Sequence, residues 1–69
     1  MAIGKVKRTV KDRGFGFLEG PNGQDYFFHM SDIQEEPGFS FDSLERGTEV
    51  EFEETEGKKG PRAANVSRA

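Results

Sequence analysis

The sequence predicts an all-β fold, a small barrel closed from five short strands, and three observations carry that prediction. Short runs rich in Val, Phe and Tyr are separated by clusters of Gly, Pro, Asn and Asp, the punctuation of strands joined by turns. No segment sustains a helical period. The chain has 69 residues and no cysteine, so it can close a single apolar core and must hold it by packing, without a disulfide or a thiolate metal site. One domain over residues 1–69 is therefore expected, and closure of the sheet removes edges that would otherwise pair between molecules.

The first strand is expected over Lys5 to Val10, ending at Lys11-Asp12. The second runs from Arg13 to Glu19 and stops at Gly20-Pro21-Asn22-Gly23, where Pro presets φ and Asn-Gly supplies positive φ. Asp25 to Met30 is the third, giving a meander. Ser31-Asp32-Ile33 suits one helical turn capped by Ser31. Gln34 to Gly47 is expected as a long loop, broken by Pro37-Gly38, and loops of that length in small domains are often functional. Glu49 to Thr55 begins with Val50 and Phe52 on one face and Glu49, Glu51 and Glu53 on the other, the pattern of a half-buried strand. Gly57-Lys58-Lys59-Gly60-Pro61 turns the chain into a fifth strand, Arg62 to Ser67.

Strand alternation sorts the aromatic residues. In the second strand Arg13, Phe15, Phe17 and Glu19 share a face, with Gly14, Gly16 and Leu18 on the other. In the third, Phe27 and His29 oppose Tyr26, Phe28 and Met30, a set suited to a core. A hydrophobic reading buries Phe15 and Phe17, yet Arg13 and Glu19 share their face, and inward glycines suit a strand curving tightly over a small core. Exposed, Phe15, Phe17, Phe27 and His29 would form a four-ring patch of the kind that marks a binding surface. Periodicity alone leaves both placements open.

Net charge is −3, which by itself argues against a polyanion partner, since phosphate affinity comes from Lys and Arg. The distribution is uneven. Through residue 13 there are Lys5, Lys7, Arg8, Lys11 and Arg13 against Asp12, whereas Asp32 to Glu56 holds ten acids against Arg46. Lys58, Lys59, Arg62 and Arg68 follow with no further acid. If folding joins the two ends, one basic and one acidic face result.

Other chemistries find little support. With no Cys and one His, no metal or cofactor is expected. Gly14-Phe15-Gly16 is a poor phosphate loop, because the third glycine falls one position late, at Gly20, and no helix follows. The carboxylates read as a solvated strand face, and no nucleophile and base pair can be named, so no enzyme is expected. No apolar run reaches the roughly 18–20 residues of a membrane span, and Met1-Ala2-Ile3-Gly4-Lys5 lacks a secretory apolar stretch. A cytoplasmic monomer with no membrane or small-molecule partner is expected.

Arg13-Gly14-Phe15-Gly16-Phe17-Leu18 resembles the first ribonucleoprotein motif of the cold-shock domain, and Asp25-Tyr26-Phe27-Phe28-His29-Met30 resembles the second. The resemblance extends from Gly4-Lys5-Val6-Lys7 through Ser31-Asp32-Ile33 to Gly60-Pro61-Arg62-Ala63-Ala64-Asn65-Val66. It implies a five-stranded antiparallel oligonucleotide-binding (OB-fold) barrel whose outer aromatics stack unpaired bases of RNA or DNA. It assigns stacking to Phe15, Phe17, Phe27 and His29, and backbone or base contacts to Lys7, Arg13, Asp25 and Lys59. The chain departs from the family pattern where Arg8-Thr9-Val10 replaces a Trp-Phe-Asn run and where Met30 replaces a Phe after the histidine. Arg8 and Met30 are expected at the binding face nonetheless. Phe41, or alternatively Phe39, takes the place of the family's loop aromatic. The resemblance implies a general single-strand binder or RNA chaperone that works without ATP. A competing reading is a protein-interaction module using the acidic face from Asp32 to Glu56.

Overall fold

The computed structural model describes residues 2–58 and 60–69. Strands β1 (Ala2–Val10), β2 (Phe15–Glu19), β3 (Asp25–His29), β4 (Glu49–Gly57) and β5 (Gly60–Arg68) close into a barrel in the order β1-β2-β3-β5-β4. Consecutive strands β1, β2 and β3 form the expected antiparallel meander. The barrel is not antiparallel throughout. β3 meets β5 in parallel, through the single registered pair Phe27 and Arg62, because the chain crosses the barrel between β3 and β4 and returns on β5 as a hairpin arm.

Inward positions follow the pleat. Val6, Leu18, Tyr26, Phe28, Val50, Phe52, Ala63 and Val66 are buried, one to two from each strand, which is how alternation from five strands fills a small barrel. Gly16 shows why the inner face of β2 carries glycines. A Cβ there would lie 2.6 Å from the Arg8 carbonyl oxygen and 2.8 Å from Phe28 Cζ, so a side chain and the Phe28 ring cannot share that space. Gly16 is registered directly opposite Phe28.

Residues 34–47 do not form an open loop. Glu36 and Phe39 exchange backbone hydrogen bonds at 2.9 and 2.8 Å, and Phe41–Ser43 forms one 3-10 turn. Phe39, Phe41 and Leu44 all enter the core. The other 3-10 turn, Met30–Asp32, is capped by His29 and not by the expected Ser31. The Ser31 N–H donates to His29 Nδ1 at 3.2 Å, and the His29 N–H donates to Asp32 Oδ2 at 3.0 Å. Among the described residues no helix is long and apolar enough to cross a membrane.

Candidate functional site

The outer faces of β2 and β3 carry the aromatic cluster. Phe17 is registered opposite Phe27, and Phe15 opposite His29, so the pleat that sends Leu18, Tyr26 and Phe28 inward turns these four residues outward. Phe15, Phe17 and Phe27 are half-buried and His29 is exposed. The three phenyl rings support one another: Phe15 and Phe27 lie 5.6 Å apart at 31°, while Phe17 meets Phe15 at 6.1 Å and Phe27 at 5.8 Å, both edge to face. Such mutual contact shields part of each ring and leaves the rest as an apolar surface. Pro61 joins Phe15, Phe17, Asp25 and Phe27 around a shallow concavity of about 470 Å³. On the far side of Phe27, Lys58 and Arg62 line a second hollow with it. Sequence reasoning assigned Pro61 only to a turn. Its role depends on the parallel approach of β5 to β3, which no local pattern signals.

Strand order sets the charge around this cluster. The two ends of the chain are not neighbours: β1 flanks the aromatic strands on one side, β5 on the other, and acidic β4 lies between them on the far side of the barrel. Bases thus approach the rings from both flanks. Part of that charge is paired. Lys7 Nζ donates to Asp25 at 3.1 Å with both side chains half exposed. Arg62 donates to Asp32 Oδ2 at 3.2 Å from Nε and 2.9 Å from Nη2, and Arg68 pairs with Glu36 at 3.0 Å. Arg62 and Arg68, which follow the last acid in the sequence, are therefore held by acids about thirty positions earlier. Arg8 is exposed and registered opposite Phe17, and Arg13 is exposed in the turn before β2 instead of within that strand.

Several expected residues lie elsewhere. Phe41 is 2% exposed and packs edge to face on Phe28 with centroids 6.3 Å apart, and Phe39 is 4% exposed. The expectation of a loop ring at the binding face is thus corrected: the loop folds onto the barrel end and both rings go to the core. Met30, grouped by alternation with the core set, is 49% exposed, because β3 ends at His29 and the 3-10 turn interrupts the pleat. Its N–H donates to the Gly14 carbonyl at 2.8 Å, which holds it beside the residue that precedes β2. Lys59 lies outside the described residues.

One titrating group is displaced. The Tyr26 hydroxyl donates to the Glu54 carboxylate, and this hydrogen bond, with burial and the negative charge of Glu54 adding to it, raises the phenol above its ordinary pKa. Tyr26 lies on the face of β3 opposite the aromatic cluster, and its hydroxyl reaches past β5 to Glu54 on β4, so the effect does not touch the cluster.

Proteins similar to this chain match it over nearly its whole length. The family model described as 'Cold-shock' DNA-binding domain matches residues 2–69. The cold shock-like protein CspD of Bacillus cereus is 48% identical over 68 residues, covering 99% of this chain and 98% of that protein. The cold shock protein CspB of Geobacillus stearothermophilus is 48% identical over 66 residues, 96% of each chain. The major cold shock protein of Streptococcus pyogenes serotype M18 is 44% identical over 68 residues, 99% of this chain and 97% of that one.

Proposed function

This chain belongs to the cold-shock domain family, and on that premise we propose that it binds single-stranded nucleic acid by stacking unpaired bases on Phe15, Phe17, Phe27 and His29. The observation that carries the reading is the outward cluster of three phenyl rings in mutual contact, flanked by the basic strand β1. Stacking on a ring contributes roughly 1–3 kcal/mol per base and tolerates any base, since every base has a flat face. A base inside a duplex cannot offer both faces. The protein therefore favours open strands and draws hairpins toward them by mass action, an RNA-chaperone activity that needs no ATP.

Arg8 replaces a ring at the edge of this surface. Its guanidinium attracts phosphate in place of the stacking a ring would supply, so binding is weaker and more salt-sensitive than in relatives that keep the ring. If about three phosphates are neutralised, log affinity falls against log salt with a slope of about −2.

The test is alanine substitution at Phe15, Phe17 and Phe27, read by fluorescence anisotropy with a labelled oligonucleotide and by circular dichroism. Binding is expected to be lost while the spectrum stays unchanged. Variants that keep wild-type affinity, or a wild type that prefers duplex, would overturn the proposal. A hairpin labelled with fluorophore and quencher should open on titration in the absence of ATP.

A further inference from the structure

Arg46 is the one base among ten acids between Asp32 and Glu56, and folding carries it out of that neighbourhood. The turn that holds it is closed twice, by the Thr48 N–H donating to the Glu45 carbonyl at 3.0 Å and the Glu45 N–H donating to Thr48 Oγ1 at 3.1 Å. Gly47, at φ 92°, supplies the left-handed residue that a side chain would strain. The turn is also pinned to β1: the Gly47 N–H donates to the Val6 carbonyl at 2.7 Å, and the Val6 N–H to the Thr48 carbonyl at 2.9 Å. Arg46 is thus fixed beside the residues that follow Val6.

At that point β1 bulges. The register passes from Val6 opposite Leu18 to Arg8 opposite Phe17, leaving Lys7 as the extra residue. A bulge lets two consecutive side chains escape strict alternation, and Lys7 and Arg8 are both exposed. Together with Phe17, Asp25 and Arg46 they line a concavity of about 370 Å³. Lys7 is paired with Asp25 at 3.1 Å. Among the described residues Arg8 and Arg46 take part in no ion pair, so two uncompensated guanidinium groups face one hollow beside the platform.

We propose that this hollow is a phosphate site, in which Arg46 and Arg8 hold one internal phosphodiester of the strand whose bases stack on Phe17 and Phe27. It rests on the reading of the aromatic cluster as a base-binding surface. A guanidinium is a permanently charged planar fork matched to phosphate oxygens. Among the residues that line the hollow Phe17 is the one ring, so a base gains little apolar contact there, whereas an anion meets two forks. The continuity of Phe17 with Phe27 at 5.8 Å selects a ligand that offers flat rings and an anion on one chain.

The test uses the full chain and a set of single-stranded oligonucleotides, each carrying one neutral methylphosphonate at a different linkage, alongside the unmodified strand with and without a 5′-phosphate. Arg46→Gln is expected to weaken the unmodified strand by about fivefold and to make the salt slope shallower by about 0.7, with an unchanged thermal midpoint. At one internal linkage the neutral substitution should weaken the wild type but neither Arg46→Gln nor Arg8→Gln. Arg46→Gln with wild-type affinity and slope, while Phe17→Ala and Phe27→Ala weaken binding, would remove the phosphate site and leave the platform standing. Sensitivity confined to the 5′-phosphate would also overturn the internal site. A wild type that binds no strand removes both readings.

Discussion

Phe27 and Phe28 are adjacent in β3, chemically identical, and set in opposite surroundings. Phe28 is fully buried against Phe41, while Phe27 is half-buried on the outer surface between Phe15 and Phe17. The partner strand accounts for the contrast as much as the pleat does. Phe28 is registered opposite Gly16, which leaves inward room for a ring, and Phe27 opposite Phe17, which builds a ring cluster outside. Of the seven phenylalanines, Phe15, Phe17 and Phe27 lie outside and Phe28, Phe39, Phe41 and Phe52 inside. Hydrophobicity of the residue does not separate the sets; among the phenylalanines in strands, the inward Phe28 and Phe52 face Gly16 and Ala2 across the ladder, whereas the outward rings face larger residues.

The sharpest break of that contrast is a pair of truncations. Phe28→Ala should cost about 3–5 kcal/mol, the range for deleting a buried ring, seen as a large drop in the urea midpoint. Phe27→Ala should move the same midpoint by less than about 1 kcal/mol while weakening oligonucleotide binding by about 1–3 kcal/mol. If the two variants lose stability equally, inside and outside are not distinct. Gly16→Ala comes next. Its methyl would press on the Arg8 carbonyl and the Phe28 ring, and overpacking of this kind costs about 1–3 kcal/mol; an alanine accommodated at no cost in thermal denaturation would mean that β2 has slack against the core.

Tyr26 gives the smallest effect and sharpens the boundary, since its ring is buried while its hydroxyl reaches the exposed Glu54. Below the usual tyrosine value of about 10, folded and unfolded chains both keep the phenolic proton. Above it the unfolded chain releases the proton first, because the folded group is raised, so this contribution to stability is lost as pH rises through the folded value. The difference in urea midpoint between wild type and Tyr26→Phe should therefore be constant at neutral pH and change only above about pH 10. A difference that already varies near neutrality would assign the hydroxyl a different partner.

Much of the fold is legible in local pattern. The turn chemistry at Pro21-Asn22-Gly23 places the β2–β3 hairpin, and the alternation of Val50 and Phe52 with glutamates places β4. The aromatic strands are ambiguous by period alone, because Phe fits either face; the resemblance of the two motifs implies the outward direction, and Phe15, Phe17 and Phe27 lie on the outer face. What local pattern could not supply is long-range. Arg62 finds Asp32 thirty positions away, Arg46 reaches β1 through backbone hydrogen bonds of its turn, and the Lys7 bulge exists only in the register between β1 and β2. Alternation extended through Met30 puts that residue on the core face, whereas the resemblance puts it at the binding face; it is exposed, because Asp32 draws the backbone of His29 into a turn and ends the pleat.

The segment between β3 and β4 has a consequence for any attempt to swap parts among relatives. Because Phe39, Phe41 and Leu44 fill the barrel end, this segment is not a detachable appendage. Grafting a foreign sequence there exchanges interior volume along with surface, and the recipient must repack. Even the exposed tip at Pro37-Gly38 is tied to the barrel, since the Arg68 guanidinium donates to the Pro37 carbonyl at 2.9 Å and to Glu36 at 3.0 Å.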